Sequence, residues 1–291
     1  MSNAGSRSSI TEFVRRRAKA LQLLPALLFV TVFALIPVAF VAVWSFWQYD
    51  SGFVQAFTVE HYVAVYREHL DIIALTFRLT ATIIVINVVV AYPVAYFIYR
   101  FLDEEKQLGF LLLLLIPAIV ARPIRIYLWS LFVTRNGPLN QLLFFVEPIG
   151  AFLYNDFAVY VGLLGDLLPI GITLIWISLR RIDEALLSAS YDLGASPAQT
   201  FRRITLPMSA PGIAAASIIM AVLSIGAVTI PQMLGGPSVR SVGQVLLSLY
   251  EGFQFPLAGA ISISLLAIVG ILLLVVQRLT DLAALFKEIE G

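Results

Sequence analysis

The chain has 291 residues, 60% of them hydrophobic and 13% charged, with a mean hydropathy of +0.92. These values lie far from those of soluble domains and leave the membrane class. The net charge of +1, its basic residues scattered through loops rather than gathered on one face, gives no sign of a nucleic-acid partner and none is expected, and the absence of cysteine removes disulfides, thiolate catalysis and most zinc sites.

Residues 1–19 are polar and arginine-rich and read as a cytoplasmic N-terminal tail, disordered up to about Ser9. The charge-free run 20–49 is far longer than the roughly 7–15 residues of a signal-peptide core, which predicts an uncleaved first span. Other charge-free runs cover 79–99, 204–239 and 252–277, each long enough for the roughly 20 helical residues that cross a bilayer core. Short alternating barrel strands are absent. The expected fold is an all-α membrane protein with six transmembrane helices at 20–47, 72–99, 109–133, 157–179, 211–231 and 253–277. Residues 20–277 form one permease-like domain, and 278–291 form a cytoplasmic C-terminal tail.

Six spans put both termini on one side. The inner segments then hold Arg7, Arg15, Arg16, Arg17, Lys19, Arg100, Lys106, Arg180, Arg181, Arg202, Arg203, Arg278 and Lys287. The outer loops hold only Arg67, Arg135 and Arg240. The positive-inside rule therefore places both termini in the cytoplasm. A five-span alternative, in which the third segment with Pro117 and Pro123 fails to cross, would weaken that charge bias. The two prolines instead suggest a kinked helix packed inside a bundle. Trp44, Trp47, Tyr49 and Trp129 read as an interfacial aromatic belt.

One polar segment interrupts the apolar pattern. From Arg181 the run RIDEALLSASYDL places Ile182, Ala185, Leu186, Ala189 and Leu193 at helical spacing. Gly194 suits the left-handed residue after a helix. Ser196, Pro197 and Gln199 then make a capping-box start for a second short helix, with Arg202 and Arg203 in its last turn. The segment 180–210 is thus a rigid helix–turn–helix knob; taken alone, its physics favours a well-capped cytoplasmic connection whose arginines hold the topology.

The spacing Ala189, Gly194, then Ile204-Thr205-Leu206-Pro207 resembles the EAA loop of inner-membrane permease subunits of binding-protein-dependent ABC importers. AYPVAY (91–96), IPAIVARPIRIYLW (116–129), NGPLN (136–140), LPMSAPGI (206–213) and LGGP (234–237) are together similar to the spermidine/putrescine branch of that family. The resemblance implies the type I ABC importer permease fold, in a bacterial inner (plasma) membrane. It implies that the loop docks into a groove on a cytoplasmic ATPase, with Ser188, Ala189, Asp192, Gly194, Ala195, Arg202, Arg203, Leu206 and Pro207 as the coupling residues. It also implies two cytoplasmic ATP-binding subunits, a second homologous permease in a heterodimer, and an extracytoplasmic solute-binding protein. The implied substrate is a polyamine such as spermidine or putrescine, with an amino-acid derivative or other small organic solute as the alternative. The sequence departs from the pattern at Ser188, where the family has glutamate, and at Ser190, where it has alanine. Asp192, Glu184 or shape alone would have to compensate.

The three lysines, Lys19, Lys106 and Lys287, lie outside any phosphate-cradling glycine loop, so ATP hydrolysis must come from another polypeptide. His61 and His69 read as loop residues rather than metal ligands, and there is no G-x-S-x-G nucleophile elbow. No cofactor or metal is expected, and the subunit is expected to be non-catalytic. A self-sufficient secondary transporter or channel is the competing class; inverted repeats would mark many such proteins, and 20–133 shows no convincing similarity to 157–277.

Asp166, Arg122, Arg125 and Arg78 fall inside the predicted spans, where an ionisable group is a functional candidate. Arg78 reads as snorkelling near the outer face. Asp166, Arg122 and Arg125 are the candidate translocation-path residues. At 1.5 Å per residue Asp166 lies ~14 Å and Arg122 ~17 Å from the outer surface, so the two are predicted to pair across the third and fourth spans.

Overall fold

A computed structural model describes residues 25, 28–50, 53–142 and 153–280. The 1–19 tail, with Arg7, Arg15, Arg16, Arg17 and Lys19, lies outside these residues, as do Lys287 and the rest of 281–291.

In chain order the helices are α1 (Leu28–Trp44), α2 (Glu60–Glu68), α3 (Leu70–Phe101), α4 (Glu104–Ile119), α5 (Arg122–Val133) and α6 (Pro138–Leu142). They continue with α7 (Asp156–Leu179), α8 (Glu184–Asp192), α9 (Pro197–Ile225), α10 (Val242–Glu251) and α11 (Phe255–Thr280). Among the described residues α3, α7, α9 and α11 are each long and apolar enough to cross a membrane, and α4 with α5 is a fifth candidate if the bent pair counts as one span.

α3 packs along α7 and α9. Near the Gly194 end Ala91, Ala95 and Ile98 of α3 bury against Ile175 and Leu179 of α7 and Ala216 and Met220 of α9. At the other end Ile83, Ile126, Val133, Val159 and Leu234 close a second cluster. Alanines at these contacts bring the backbones close, which matters because lipid is as apolar as the side chains and close packing must hold the helices together. Gly212 serves the same end: a Cβ there would stand 2.9 Å from the Leu174 carbonyl. The spanning windows are only 22% (α11) to 44% (α7 and α9) buried inside the chain, so most of their apolar surface needs lipid or another subunit.

The structure departs from or adds to the expected elements in four places. First, α1 ends at Trp44, and Trp47–Asp50 pairs antiparallel with Phe53–Phe57 in a hairpin, so the fold is mostly rather than wholly helical. The apolar run to Tyr49 conceals the change of period, which the alternating polar residues Gln48 and Asp50 signal.

Second, the third segment breaks instead of kinking: α4 and α5 meet at 82°. Val120 and Ala121 are extended, with ψ of 134° and 131°. An unbroken helix would need a Pro123 N–H for the Ile119 carbonyl, and proline has none.

Third, the second helix of the polar knob does not stop after Arg203. It runs on from Pro197 to Ile225 through a π turn at Phe201–Thr205, where the Leu206 N–H reaches the Phe201 carbonyl. The wider turn accommodates Pro207, whose ring would otherwise collide with the carbonyl four residues back. Fourth, Trp129 is half-buried, its ring against Gly165 and edge-on to Phe132, a packing contact beyond the expected belt position.

Candidate functional site

The knob is built by local caps. Asp183 starts α8, its Oδ1 accepting the Ala185 N–H at 2.9 Å. At the far end Gly194 adopts φ +80°, its N–H donating to the Tyr191 carbonyl (2.8 Å) while the Ala195 N–H donates to the Ser190 carbonyl (3.1 Å). This paired termination needs the left-handed residue that glycine supplies. Ser196 and Gln199 then form the expected reciprocal capping box, at 3.3 and 2.9 Å, and α9 begins.

The two limbs are cross-linked by a contact that sequence reasoning missed: the Ser190 and Thr200 hydroxyls, both buried, meet at 2.8 Å. Phe201 lies edge-on to Tyr92 (5.8 Å) and Tyr96 (5.3 Å) and so ties the knob to α3. The spacing of Ser190 and Thr200 on the inner faces of two helices joined by a turn was the available signal.

Of the predicted coupling residues, Ser188, Ala189 and Asp192 lie exposed on α8, Gly194 and Ala195 at the turn, and Arg202, Arg203, Leu206 and Pro207 exposed along α9. A surface pocket of 520 Å³ between the limbs is lined by Leu186, Ala189, Ala195, Arg203 and Ile204, with Leu193 at its rim 89% exposed. Among the described residues neither Glu184 nor Asp192 makes an ion pair. The caps and the Ser190–Thr200 bond stiffen the knob.

A buried clasp sits behind the knob. Gln107 Nε2 donates to the carbonyls of Leu102 (2.9 Å) and Tyr99 (3.3 Å), and its Oε1 accepts the Trp176 indole N–H (3.0 Å). Arg180 lies over the Trp176 ring and pairs with Glu104 at 3.1 Å. The start of α4 is thereby tied to the end of α7, just before α8.

The second region centres on Asp166 of α7, which is 8% exposed. Its Oδ2 faces Arg122 Nη2 at 3.3 Å, the expected pair, but its Oδ1 also meets Arg125 Nη2. Arg125 is 13% exposed and donates through Nη1 to the Pro117 carbonyl at 2.9 Å, spanning the break between α4 and α5. Gly165 makes the approach possible, since a side chain there would run into the Trp129 ring of α5.

A cavity of 190 Å³ opens beside this triad, lined by Arg122, Asp166, Leu163, Leu223, the irregular residues Gly226, Ala227 and Val228, and Thr229 and Ile230 of the turn that follows. Irregular backbone at membrane depth is tolerated where it lines such a space. Arg78 is paired with Asp156 at the start of α7, at 2.8 Å, and stands apart from the triad.

No family model matches the chain. It is 32% identical over 250 residues to the spermidine/putrescine transport system permease protein PotB of Escherichia coli (strain K12), covering 83% of this chain and 89% of that protein. Among solved structures, a bacterial alginate ABC transporter in complex with an alginate pentasaccharide-bound periplasmic protein superposes with a TM-score of 0.75 at 16% identity, over 93% of this chain and 96% of that one. The MetNI methionine ABC transporter, in an inward-facing conformation, gives 0.57 at 18% identity over 73% and 94%.

Proposed function

The chain belongs to the family of spermidine/putrescine transport system permease proteins, the membrane subunits of ABC importers, and on that premise we propose that it forms half of a polyamine translocation path worked by an external ATPase. It is a permease subunit of the inner membrane. The observation that carries the coupling reading is the cross-linked α8–Gly194–α9 knob, whose exposed face and 520 Å³ pocket can receive a partner.

In this reading six spans cross the membrane with both termini in the cytoplasm, residues 20–277 being the permease domain between the two tails. α1 serves as the first span and the bent α4–α5 pair as the third. The positive-inside distribution of Arg100, Lys106, Arg180, Arg181, Arg202 and Arg203 supports that orientation. Two cytoplasmic ATP-binding subunits hydrolyse ATP, a second, non-identical permease completes the path, and a solute-binding protein delivers substrate from outside. The periplasmic protein bound to the alginate transporter supports that last partner. Ser188, Ala189, Asp192, Gly194, Ala195, Arg202, Arg203, Leu206 and Pro207 form the coupling surface, and Asp166, Arg122 and Arg125 border the path.

The fold alone does not select the cargo, since importers of alginate and of methionine share it. The polyamine reading rests on the PotB relative. Uptake of labelled putrescine, spermidine and a panel of amino-acid derivatives into cells carrying the complete importer tests it. Saturable putrescine or spermidine uptake that is lost with this chain is the expected result; uptake confined to amino-acid derivatives contradicts it.

A further inference from the structure

The two arginines at Asp166 are held differently. Arg125 is 13% exposed and fixed at two points, Asp166 Oδ1 and the Pro117 carbonyl. Arg122 is 58% exposed and reaches Asp166 Oδ2 through one contact at 3.3 Å, its only ion pair or side-chain hydrogen bond among the described residues. Arg122 and Asp166 line the 190 Å³ cavity, whereas Arg125 lies outside its lining. The cavity's other walls, Leu163, Leu167, Leu223 and Ile230, suit methylene groups.

We infer that Arg122 is an exchangeable counter-ion: it holds Asp166 Oδ2 until the ammonium end of a translocating amine displaces it, while Arg125 keeps the carboxylate in place. This rests on the polyamine reading above and assigns that reading an ammonium subsite at Asp166. The physical case is the difference in cost between the two bonds. With Arg125 on Oδ1 the carboxylate is never without a counter-charge, but a buried Oδ2 left without any partner is costly, so a route that trades one cation for another at Oδ2 avoids that state. A half-exposed ion pair is weak enough to be traded, and a compact ammonium makes a single-point contact that a guanidinium held at one nitrogen does not improve upon.

The test is equilibrium binding of labelled putrescine to the complete importer in nanodiscs, without the soluble binding protein. Arg122→Gln removes the competing cation and lowers Kd about two- to five-fold, the worth of such a pair. Arg122→Lys retains a cation and stays near wild type. Asp166→Asn weakens binding and cancels the gain in the double variant. An unchanged or raised Kd in an assembled Arg122→Gln complex overturns the exchange.

Should that variant fail to assemble, Arg122→Cys offers a second route, because the chain has no other cysteine. Aminoethyl methanethiosulfonate restores a cation at 122 and must raise Kd, whereas a neutral methyl reagent must not, with the wild-type complex treated in parallel. Equal effects of the two reagents overturn the exchange. A wild-type complex that binds no putrescine overturns the substrate reading and the exchange together, while wild-type binding with no response to Arg122→Gln overturns the exchange alone.

Discussion

Ser190 and Thr200 meet hydroxyl to hydroxyl at 2.8 Å across the Gly194 turn, both buried, and so link α8 directly to α9. Ser190→Ala leaves the Thr200 hydroxyl buried without this partner, at a cost of about 1–3 kcal/mol, whereas Ser190→Ala with Thr200→Val removes both polar groups and costs less than the two singles added. Hydrogen exchange of the 184–204 amides measures this. Strictly additive losses would show that the bond does not hold the limbs.

Gly194→Val should uncouple transport while leaving insertion normal. A Cβ at Gly194 meets no atom within 4 Å, so the penalty is conformational: φ is +80°, and a left-handed L-residue costs about 1–2 kcal/mol. Gly194→Asn, which tolerates that conformation, should keep coupling. Substrate-stimulated ATPase activity of the reconstituted complexes separates the two variants, and normal stimulation in Gly194→Val would sink the lever role of the turn.

Much of this knob was legible because caps and turns are local chemistry. Ser196, Gln199 and Gly194 declare their roles within a few residues of sequence, and the apolar runs declare α3, α7 and α11 by length. What stayed hidden depends on distant partners. Pro117 and Pro123 fit a kink as well as a break until Asp166 and Arg125 bring α5 alongside α7. Pro207 reads as a boundary until the π turn at Phe201–Thr205 absorbs it. Trp129 reads as a belt residue, and its neighbours in sequence do not show that its ring packs against Gly165.

Asp166 and Arg125 should behave as one unit. Asp166→Asn leaves the buried Arg125 without its counter-charge, and Arg125→Gln leaves Asp166 only its looser contact with Arg122; losses of about 3–5 kcal/mol are typical of a broken buried pair, with the smaller loss expected for Arg125→Gln. The double variant should recover much of the inserted protein, though not all, because Arg125 also holds the Pro117 carbonyl. Membrane-inserted protein, quantified for the two singles and the double, checks this; wild-type levels in both singles would show that the pair does not hold the broken segment.

Gln107→Leu should loosen the clasp behind the knob. It strands the Trp176 indole N–H and withdraws a donor from the carbonyls of Leu102 and Tyr99, for a loss of about 1–3 kcal/mol. Gln107→Glu keeps an acceptor for the indole but turns a buried carboxylate oxygen toward the Leu102 and Tyr99 carbonyls, and should lose at least as much. Thermal unfolding of the purified complexes ranks the two, and an unchanged midpoint in Gln107→Leu would remove the clasp from the account.

The most direct test of a passive permease driven from outside is labelled putrescine uptake into proteoliposomes holding this chain, its partner permease and the ATP-binding subunits, with the solute-binding protein added outside. Uptake should require ATP on the side of the ATP-binding subunits, stop when those subunits are omitted, and fail in Gly194→Val. Putrescine uptake driven by an ion gradient in liposomes lacking the ATP-binding subunits would contradict the account and make the protein a secondary transporter.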